Sequence, residues 1–218
     1  LVGSEMCIRD RQMIKLIFSY GLPSFVMNAL GAFTVNFANM FLVRYSDTAV
    51  AFFGAYFKVQ QLIFMTVNGL IQGCLPIMRF NYRAKEYGRL KQANKSGTII
   101  ATVMMIVGML LVLIFPKEIL FLFSASEEMC AFGVPAMRIM SLGFVFSGFS
   151  AMIATYEQAT DSIMPGVVVQ LLRQGVLLVP VIWLLNSAVQ MTGIWLAFPI
   201  TEFVTFLVAV VFAKIKNH

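Results

Sequence analysis

The stretch from Gly73 to Lys95 decides the fold and reads GCLPIMRFNYRAKEYGRLKQANK. A long apolar run ends at its start, and a second apolar run begins just after its end. Between them stand six cations, with only Glu86 to oppose them: Arg79, Arg83, Lys85, Arg89, Lys91 and Lys95. Basic residues that directly follow a long apolar run are typical of a membrane helix that reaches the membrane surface.

The composition of the whole chain agrees with a membrane protein. Of the 218 residues, 60% are hydrophobic and 12% are charged, and the mean hydropathy is +0.85. A water-soluble globule needs more polar surface than this chain offers. The net charge of +6 does not indicate nucleic-acid binding, because the cations lie in short loops between apolar runs. There they act as topology signals and contacts for anionic lipids.

Six segments are long and apolar enough to span a bilayer, since a spanning helix needs about 20 such residues. The predicted spans are 16–43, 50–78, 97–115, 132–156, 163–185 and 192–213. They leave no room for a soluble domain. The sequence therefore predicts an all-α polytopic membrane protein whose residues 12–218 form one lobe of six transmembrane helices.

Residues 1–11 have a different origin in our interpretation. They read LVGSEMCIRDR and resemble the translation of a transposon-type sequencing adapter. Such a segment is set aside when the fold is considered. We expect native sequence from Gln12 onwards, with a further part of the protein encoded upstream.

No motif for an enzyme or a cofactor is found in the sequence. There is no glycine-rich nucleotide loop, and the single histidine is the terminal His218. Cys7, Cys74 and Cys130 are too widely separated for a metal or redox motif. We expect neither enzymatic activity nor a bound metal or cofactor.

The distribution of lysine and arginine predicts the orientation in the membrane. One side holds Lys15, the 79–95 segment, Lys214 and Lys216, whereas the other combines few cations with several acids. Because positive loops stay in the cytosol, we expect both ends to be cytosolic, in a multi-pass protein of the cell (inner or plasma) membrane. Within 79–95 the pattern predicts a short amphipathic helix that lies in the membrane interface.

Polar residues within the spans indicate which helix faces avoid lipid. In the second span they recur at helical spacing along one stripe, formed by Lys58, Gln61, Met65, Asn68 and Gln72. This stripe is either the wall of a hydrated cavity or a set of hydrogen bonds between helices. Asn28 and Asn36 in the first span belong to a similar face, suited to helix contacts or to substrate hydrogen bonds.

Three charged residues lie inside later spans. Arg138 belongs to the fourth span, and Arg173 lies in the fifth, where its side chain is expected to reach the membrane surface. Glu202 is the carboxylate well inside the sixth span. It either exchanges a proton with a cavity or forms a structural ion pair with Lys58 or Arg138.

The opening stretch also resembles a family signature. The residues that match it are Gly73, Pro76, Asn81, Tyr82, Ala84, Lys85 and Arg89. In this order they resemble the motif that closes the second helix of the C-terminal six-helix lobe of multidrug and toxic compound extrusion (MATE) transporters, in the bacterial multidrug-efflux branch. Arg79 and Arg83 depart from the pattern, because that branch usually has glycine at those positions.

The resemblance implies a secondary active antiporter that exports lipophilic or cationic drugs in exchange for H⁺ or Na⁺ by alternating access. It also implies a second, N-terminal six-helix lobe of the same protein, missing from this chain. The coupling acids that one branch carries in the first and fourth spans of this lobe are absent here. Two alternatives stay open: a lipid-linked oligosaccharide flippase of the same superfamily, and a six-helix structural or dimerising membrane subunit.

Overall fold

The computed structural model describes residues 29–160, 168–169 and 171–216, and within them the chain is helical between short turns. The helices are α1 (Ala29–Leu42), α2 (Asp47–Arg83), α3 (Tyr87–Ile114), α4 (Pro116–Phe121), α5 (Glu127–Ser141), α6 (Phe144–Ala159), the π-helical turn α7 (Leu172–Val176), α8 (Leu178–Val189) and α9 (Met191–Lys216). The predicted all-α fold is confirmed. The adapter-like segment 1–11 lies outside the described residues.

Among the described residues, four helical segments are long and apolar enough to cross a membrane. They are Asp47–Arg83, Tyr87–Ile114, Glu127–Ala159 and Met191–Phe212, and α1 and α8 are shorter apolar helices. The predicted fourth span, 132–156, is α5 followed directly by α6. The predicted fifth span begins outside the described residues and ends four residues too early, because α8 continues through Asn186 to Val189.

The basic segment 79–95 does not form a separate helix in the membrane interface, so that prediction was wrong. Instead α2 continues through Arg83, and α3 begins at Tyr87. Only a tight turn separates them, in which Lys85 has a φ of 60° and the Glu86 N–H donates to the Asn81 carbonyl. The six cations are shared between the ends of two long helices and the turn that joins them.

Small residues allow the central helices to approach one another closely. A Cβ at Gly108 of α3 would lie 2.5 Å from the side chain of Ile63 on α2. A Cβ at Gly97 would lie 2.6 Å from the side chain of Met152 on α6. Such contacts are the usual basis of helix packing in a bilayer, where apolar burial gives little driving force between helices.

An aromatic cluster joins the N-terminal half of α2 to α9. The rings of Phe52 and Trp195 lie 5.2 Å apart, in edge-to-face geometry, and those of Phe53 and Phe198 lie 5.7 Å apart. Pairs of this kind add about 0.5–1.5 kcal/mol each beyond the area they bury. They fix the position of α9, and therefore of Glu202 one turn beyond Phe198, against α2.

Candidate functional site

A polar cleft of about 420 Å³ lies between α1, α2, the α7–α8 segment and α9. Aromatic and amide side chains share its walls with one acid and one base. The described residues that line it are Gly31, Thr34, Val35, Phe57, Gln60, Gln61, Phe64, Asn68, Arg173, Leu178, Phe198 and Glu202. The acid and the base of the cleft are Glu202 and Arg173.

Arg173 and Glu202 form an ion pair in this cleft. The guanidinium Nε donates to Glu202 Oε1 at 3.0 Å, and the side chains are only 18% and 15% exposed. The Arg173 guanidinium also lies over the ring of Phe64, 4.8 Å from its centroid. A cation–π contact of this kind contributes about 0.5–2 kcal/mol, depending on how far it is desolvated.

The position of Arg173 depends on an irregular stretch of helix. The chain kinks at Gly175, whose backbone leaves the helical region within the π-helical turn. A Cβ at Gly175 would lie 2.5 Å from the Thr34 hydroxyl oxygen, so glycine lets this segment press against α1. π-Helical turns often occur at functional sites. Here the turn carries the arginine into the cleft.

Glu202 is positioned by the break between α5 and α6. A Cβ at Gly143 would lie 3.2 Å from Pro199 Cα and 3.3 Å from Glu202 Cγ. The absent side chain at Gly143 thus leaves room for α9 and for the acid. Glu202 Oε2 and the Tyr56 hydroxyl are both buried without a hydrogen-bond partner among the described residues. A buried carboxylate oxygen in this state is suited to accept a proton or a cation, since leaving it unpaired is costly.

This geometry corrects two predictions about charge. Glu202 pairs with Arg173 and with neither Lys58 nor Arg138, the two partners that the sequence suggested. Arg173 does not extend to the membrane surface but turns into the cleft. The two residues stand 29 positions apart, and helical periodicity within one span contains no information about such a pairing.

The predicted stripe on α2 divides between two places. All five of its residues are exposed within the described part of the chain. Gln61 and Asn68 line the cleft, whereas Lys58 lines a separate pocket beside the turn that contains Ser124. Met65 is 69% exposed.

The remaining predicted residues lie elsewhere. Asn36 is exposed, and its amide donates to the Ala32 carbonyl one turn back, at 3.1 Å. Arg138 is exposed and donates from Nε to the Leu113 carbonyl at 3.3 Å. Neither lines the cleft, and Asn28 lies outside the described residues.

Thr34, Gln60 and Arg173 line the cleft but were not among the predicted site residues. Gln60 is next to the predicted Gln61, so its amide could have been recognised from the sequence as a second polar group on this part of α2. The sequence identified Arg173 as a charge inside a span, but it did not predict that the side chain turns into the cleft. Thr34 gives no signal in the sequence. No group of three or more histidine, cysteine or acidic side chains in the described ranges could hold a metal ion.

The family-motif residues build the turn between α2 and α3 and not the cleft. The Asn81 amide donates to the Ile77 carbonyl at 2.8 Å, and the rings of Tyr82 and Tyr87 lie 6.3 Å apart. Ala84 ends α2, and Lys85 takes the left-handed conformation. Pro76 lies inside α2, Gly73 has open space around it, and Arg89 is exposed on α3.

The membrane-length helices and the polar cleft between them define a multi-pass membrane protein. The family model described as MatE matches residues 23–184, and the chain belongs to that family. Its members are transporters and not enzymes. The motif at Gly73 had indicated the same family.

Three similar proteins illustrate the relationship. The multidrug export protein MepA of Staphylococcus aureus (strain MSSA476) is 25% identical over 193 residues, which cover 88% of this chain and 42% of MepA. The outward-facing conformation of a multidrug resistance MATE family transporter of the MOP superfamily matches with a TM-score of 0.84 at 18% identity. An inward-facing conformation matches with a TM-score of 0.87 at 17% identity.

The chain spans about half the length of the proteins it resembles. It covers 47% of the outward-facing chain and 48% of the inward-facing one, while 94% of this chain is matched in each case. The fold is therefore that of about half of a MATE transporter.

Proposed function

We propose that this chain is the C-terminal lobe of a multidrug efflux antiporter in the cell membrane, with both ends in the cytosol. It supplies one wall of a central cleft that exports lipophilic cations in exchange for H⁺ or Na⁺. The observation that carries the proposal is the cleft itself, in which the carboxylate of Glu202 lies among aromatic rings and amides.

The chemistry of the cleft suits lipophilic cations. Phe57, Phe64 and Phe198 offer ring faces, which attract cations and pack against apolar groups. Glu202 provides a negative charge that Arg173 balances in the present arrangement. A cationic drug could replace the guanidinium beside the carboxylate, and protonation of Glu202 would then weaken drug binding. This exchange gives the differential affinity that coupling requires.

The exposed face of α2 supports the proposal of a second lobe. A Cβ added at Gly54, Gly69 or Gly73 would meet nothing within 4 Å, and the stripe that contains Gln61 and Asn68 is exposed beside them. A polar face with small residues is costly against lipid but suits contact with another helical lobe across hydrated space.

The similarity to both an outward-facing and an inward-facing transporter supports alternating access by rocking of whole lobes. The TM-scores of 0.84 and 0.87 show that this fold resembles half of each conformation about equally. A lobe that keeps its fold while the cleft changes sides can move as a rigid body.

The flippase alternative expects a more cationic cleft, and no observation favours it. Lys58 lines a different pocket, Arg138 is exposed outside the cleft, and Glu202 balances Arg173. The alternative of a six-helix structural or dimerising subunit is tested by the genomic sequence. Six further in-frame spans upstream would exclude it.

Accumulation of a lipophilic cationic dye tests the proposal. Energised cells that express the complete gene should accumulate less dye than cells without it. The Glu202→Gln variant should lose most of this effect, because hydrogen bonds to a charged group contribute about 1.5–3 kcal/mol, equivalent to roughly tenfold or more in affinity. Its efflux should also depend less on pH if the coupling ion is H⁺.

Glu128→Gln is the matched control, because this exposed acid lies in the first turn of α5, away from the cleft. It should transport like the unaltered protein. Unchanged accumulation of several dyes, with the protein shown to be in the membrane, would contradict the multidrug proposal. If the Glu202→Gln variant transports as well as the unaltered protein, Glu202 has only a structural role.

A further inference from the structure

A second pocket lies at the end of the bundle where α2 meets α3, far from the Arg173–Glu202 pair in the sequence. Its volume is about 530 Å³. It is bordered by the α2–α3 turn, by the first two turns of α3 and by the C-terminal end of α6. We call it the basic groove. Its polar residues are Tyr82, Tyr87, Lys91, Asn94, Lys95, Tyr156, Glu157 and Thr160.

We propose that the basic groove binds the phosphate of an anionic phospholipid headgroup between Lys91 and Lys95. These two lysines stand one helical turn apart on α3, so they lie on the same face. Both are exposed, and both line the groove. Lysine is a common partner for phosphate, to which it offers a compact charge with three donors.

The depth of the groove matches the headgroup layer of a bilayer. Lys95 is followed within four residues by the long apolar part of α3, beginning at Ile99. Lys91 and Lys95 lie about 6 Å and 12 Å along the helix from its first residue, Tyr87, at 1.5 Å per residue. The lysines therefore occupy the level at which the helix passes from polar surroundings to lipid.

The other walls of the groove distinguish a lipid from a small soluble anion. Three tyrosines surround the lysines, and Tyr87 is 54% exposed. Tyrosine is enriched where a membrane meets water, because one end of the ring is apolar and the other is polar. Ile153 and Leu90 add apolar surface deeper in the groove. In a phospholipid the phosphate can contact the lysines, while the glycerol and its acyl chains can contact the tyrosines and the apolar side chains.

Glu157 limits how deep the phosphate can lie. It lines the same groove and is 2% exposed, so its carboxylate disfavours an anion placed deep inside. The exposed lysines stand at the mouth, and the phosphate belongs there. The four further cations of the α2–α3 turn region add a favourable field but do not line the groove.

Native mass spectrometry can test this proposal with protein produced from the complete gene and purified in detergent. Phosphatidylglycerol is titrated, and phosphatidylcholine with the same acyl chains is compared. The Lys91→Gln, Lys95→Gln variant should bind phosphatidylglycerol about 30-fold more weakly, since each lysine near an anionic surface contributes roughly fivefold. If that variant fails to fold, Lys95→Gln alone should show a loss of about fivefold.

Two matched variants separate a built site from general charge. Lys85→Gln with Arg89→Gln removes two cations of the same segment that do not line the groove, and its affinity should stay close to that of the unaltered protein. Lys91→Arg with Lys95→Arg keeps both charges and should also bind. An equal loss in the Lys85 and Arg89 variant would overturn the proposal, because it would show a diffuse electrostatic effect.

Competition with inorganic phosphate identifies the source of the phosphate group. Excess inorganic phosphate, with sodium chloride of equal ionic strength as the control, should leave phosphatidylglycerol bound. Displacement by phosphate but not by chloride would overturn the lipid proposal in favour of a soluble anion. Equal binding of phosphatidylcholine and phosphatidylglycerol would overturn the requirement for an anionic headgroup.

Discussion

Helices α2 and α3 are neighbours of similar character in the sequence, yet they expose opposite kinds of surface. From Gly97 onwards the exposed side chains of α3 are apolar, among them Val103, Val107 and Leu111, while Gly97 and Gly108 lie against side chains of the neighbouring helices. In α2 the glycines face open space, and amides stand beside them. We infer that lipid covers the exposed face of α3, whereas the exposed face of α2 borders the cleft.

The difference shows that glycine has two uses in one bundle. In α3, glycine permits neighbouring helices of the same bundle to pack closely against it. In α2 it leaves a smooth surface that no described residue covers at Gly54, Gly69 or Gly73. Composition alone does not distinguish these uses, because both helices are apolar enough to span the membrane.

The largest expected effect comes from placing a charge on each exposed face. Val107 is 51% exposed and Met65 is 69% exposed. Met65 stands at the middle of α2, and Val107 stands near the middle of the predicted span 97–115. Val107→Lys should destabilise the protein by about 2.5–3.5 kcal/mol, the cost of lysine at the centre of a spanning helix. Met65→Lys should cost much less, because Met65 lies on the polar stripe of α2 between Gln61 and Asn68, which line the cleft. The melting temperature in detergent and the membrane yield measure both.

Equal damage from the two lysines would contradict this assignment and would place lipid against α2. Val107→Leu and Met65→Leu are the controls, and both should behave like the unaltered protein. They keep the apolar character and change only the shape.

A smaller effect is expected from adding bulk at a glycine of each helix. Gly108→Leu should cost about 1–3 kcal/mol through overpacking, since even a Cβ would lie 2.5 Å from Ile63. Gly69→Leu should leave the melting temperature unchanged, because nothing lies within 4 Å of a Cβ there. If Gly69 faces a second lobe, that variant should instead reduce dye efflux.

Removing the side chain at Ile63 provides a rescue. The Ile63→Ala, Gly108→Leu double variant should recover part of the lost stability. The smaller side chain at position 63 makes room for the larger one at position 108, which contacts it. Failure of any recovery would mean that Gly108 is needed for a reason other than this contact.

The smallest expected effect concerns the first residues of the two helices. The Ser46 hydroxyl accepts a hydrogen bond from the Thr48 N–H at 3.1 Å, whereas Glu86 gives α3 no side-chain cap. Ser46→Ala should therefore lower the free energy of unfolding by about 1 kcal/mol. Glu86→Ala should lower it by only a few tenths of that amount. Chemical unfolding in mixed micelles measures the two losses, and a larger loss at Glu86 would contradict the assignment of the caps.

Part of the candidate site was predictable because it repeats along one helix. Gln61 and Asn68 stand seven residues apart, or about two turns, and their shared face follows from helical geometry. The same logic grouped Lys58 with them. The structure separates it, because Lys58 lies about 15 Å along the helix from Asn68 and meets the pocket beside the α4–α5 turn.

The pairing of Arg173 with Glu202 was not predictable from either helix. It requires the kink at Gly175 in the π-helical turn and the space that Gly143 leaves beside α9. Each residue gave a signal as a charge inside a span, but the direction of each side chain depends on the helices packed around it.

The sequence by itself determined the class of protein and its all-α fold, because hydropathy and loop charge act locally along the chain. The tertiary structure alone decided which charges meet in the cleft, and that Lys91 and Lys95 border a groove closed by α6. These features depend on the rotation and approach of helices distant in sequence. They arise from close packing among small and aromatic side chains, which a one-dimensional pattern does not encode.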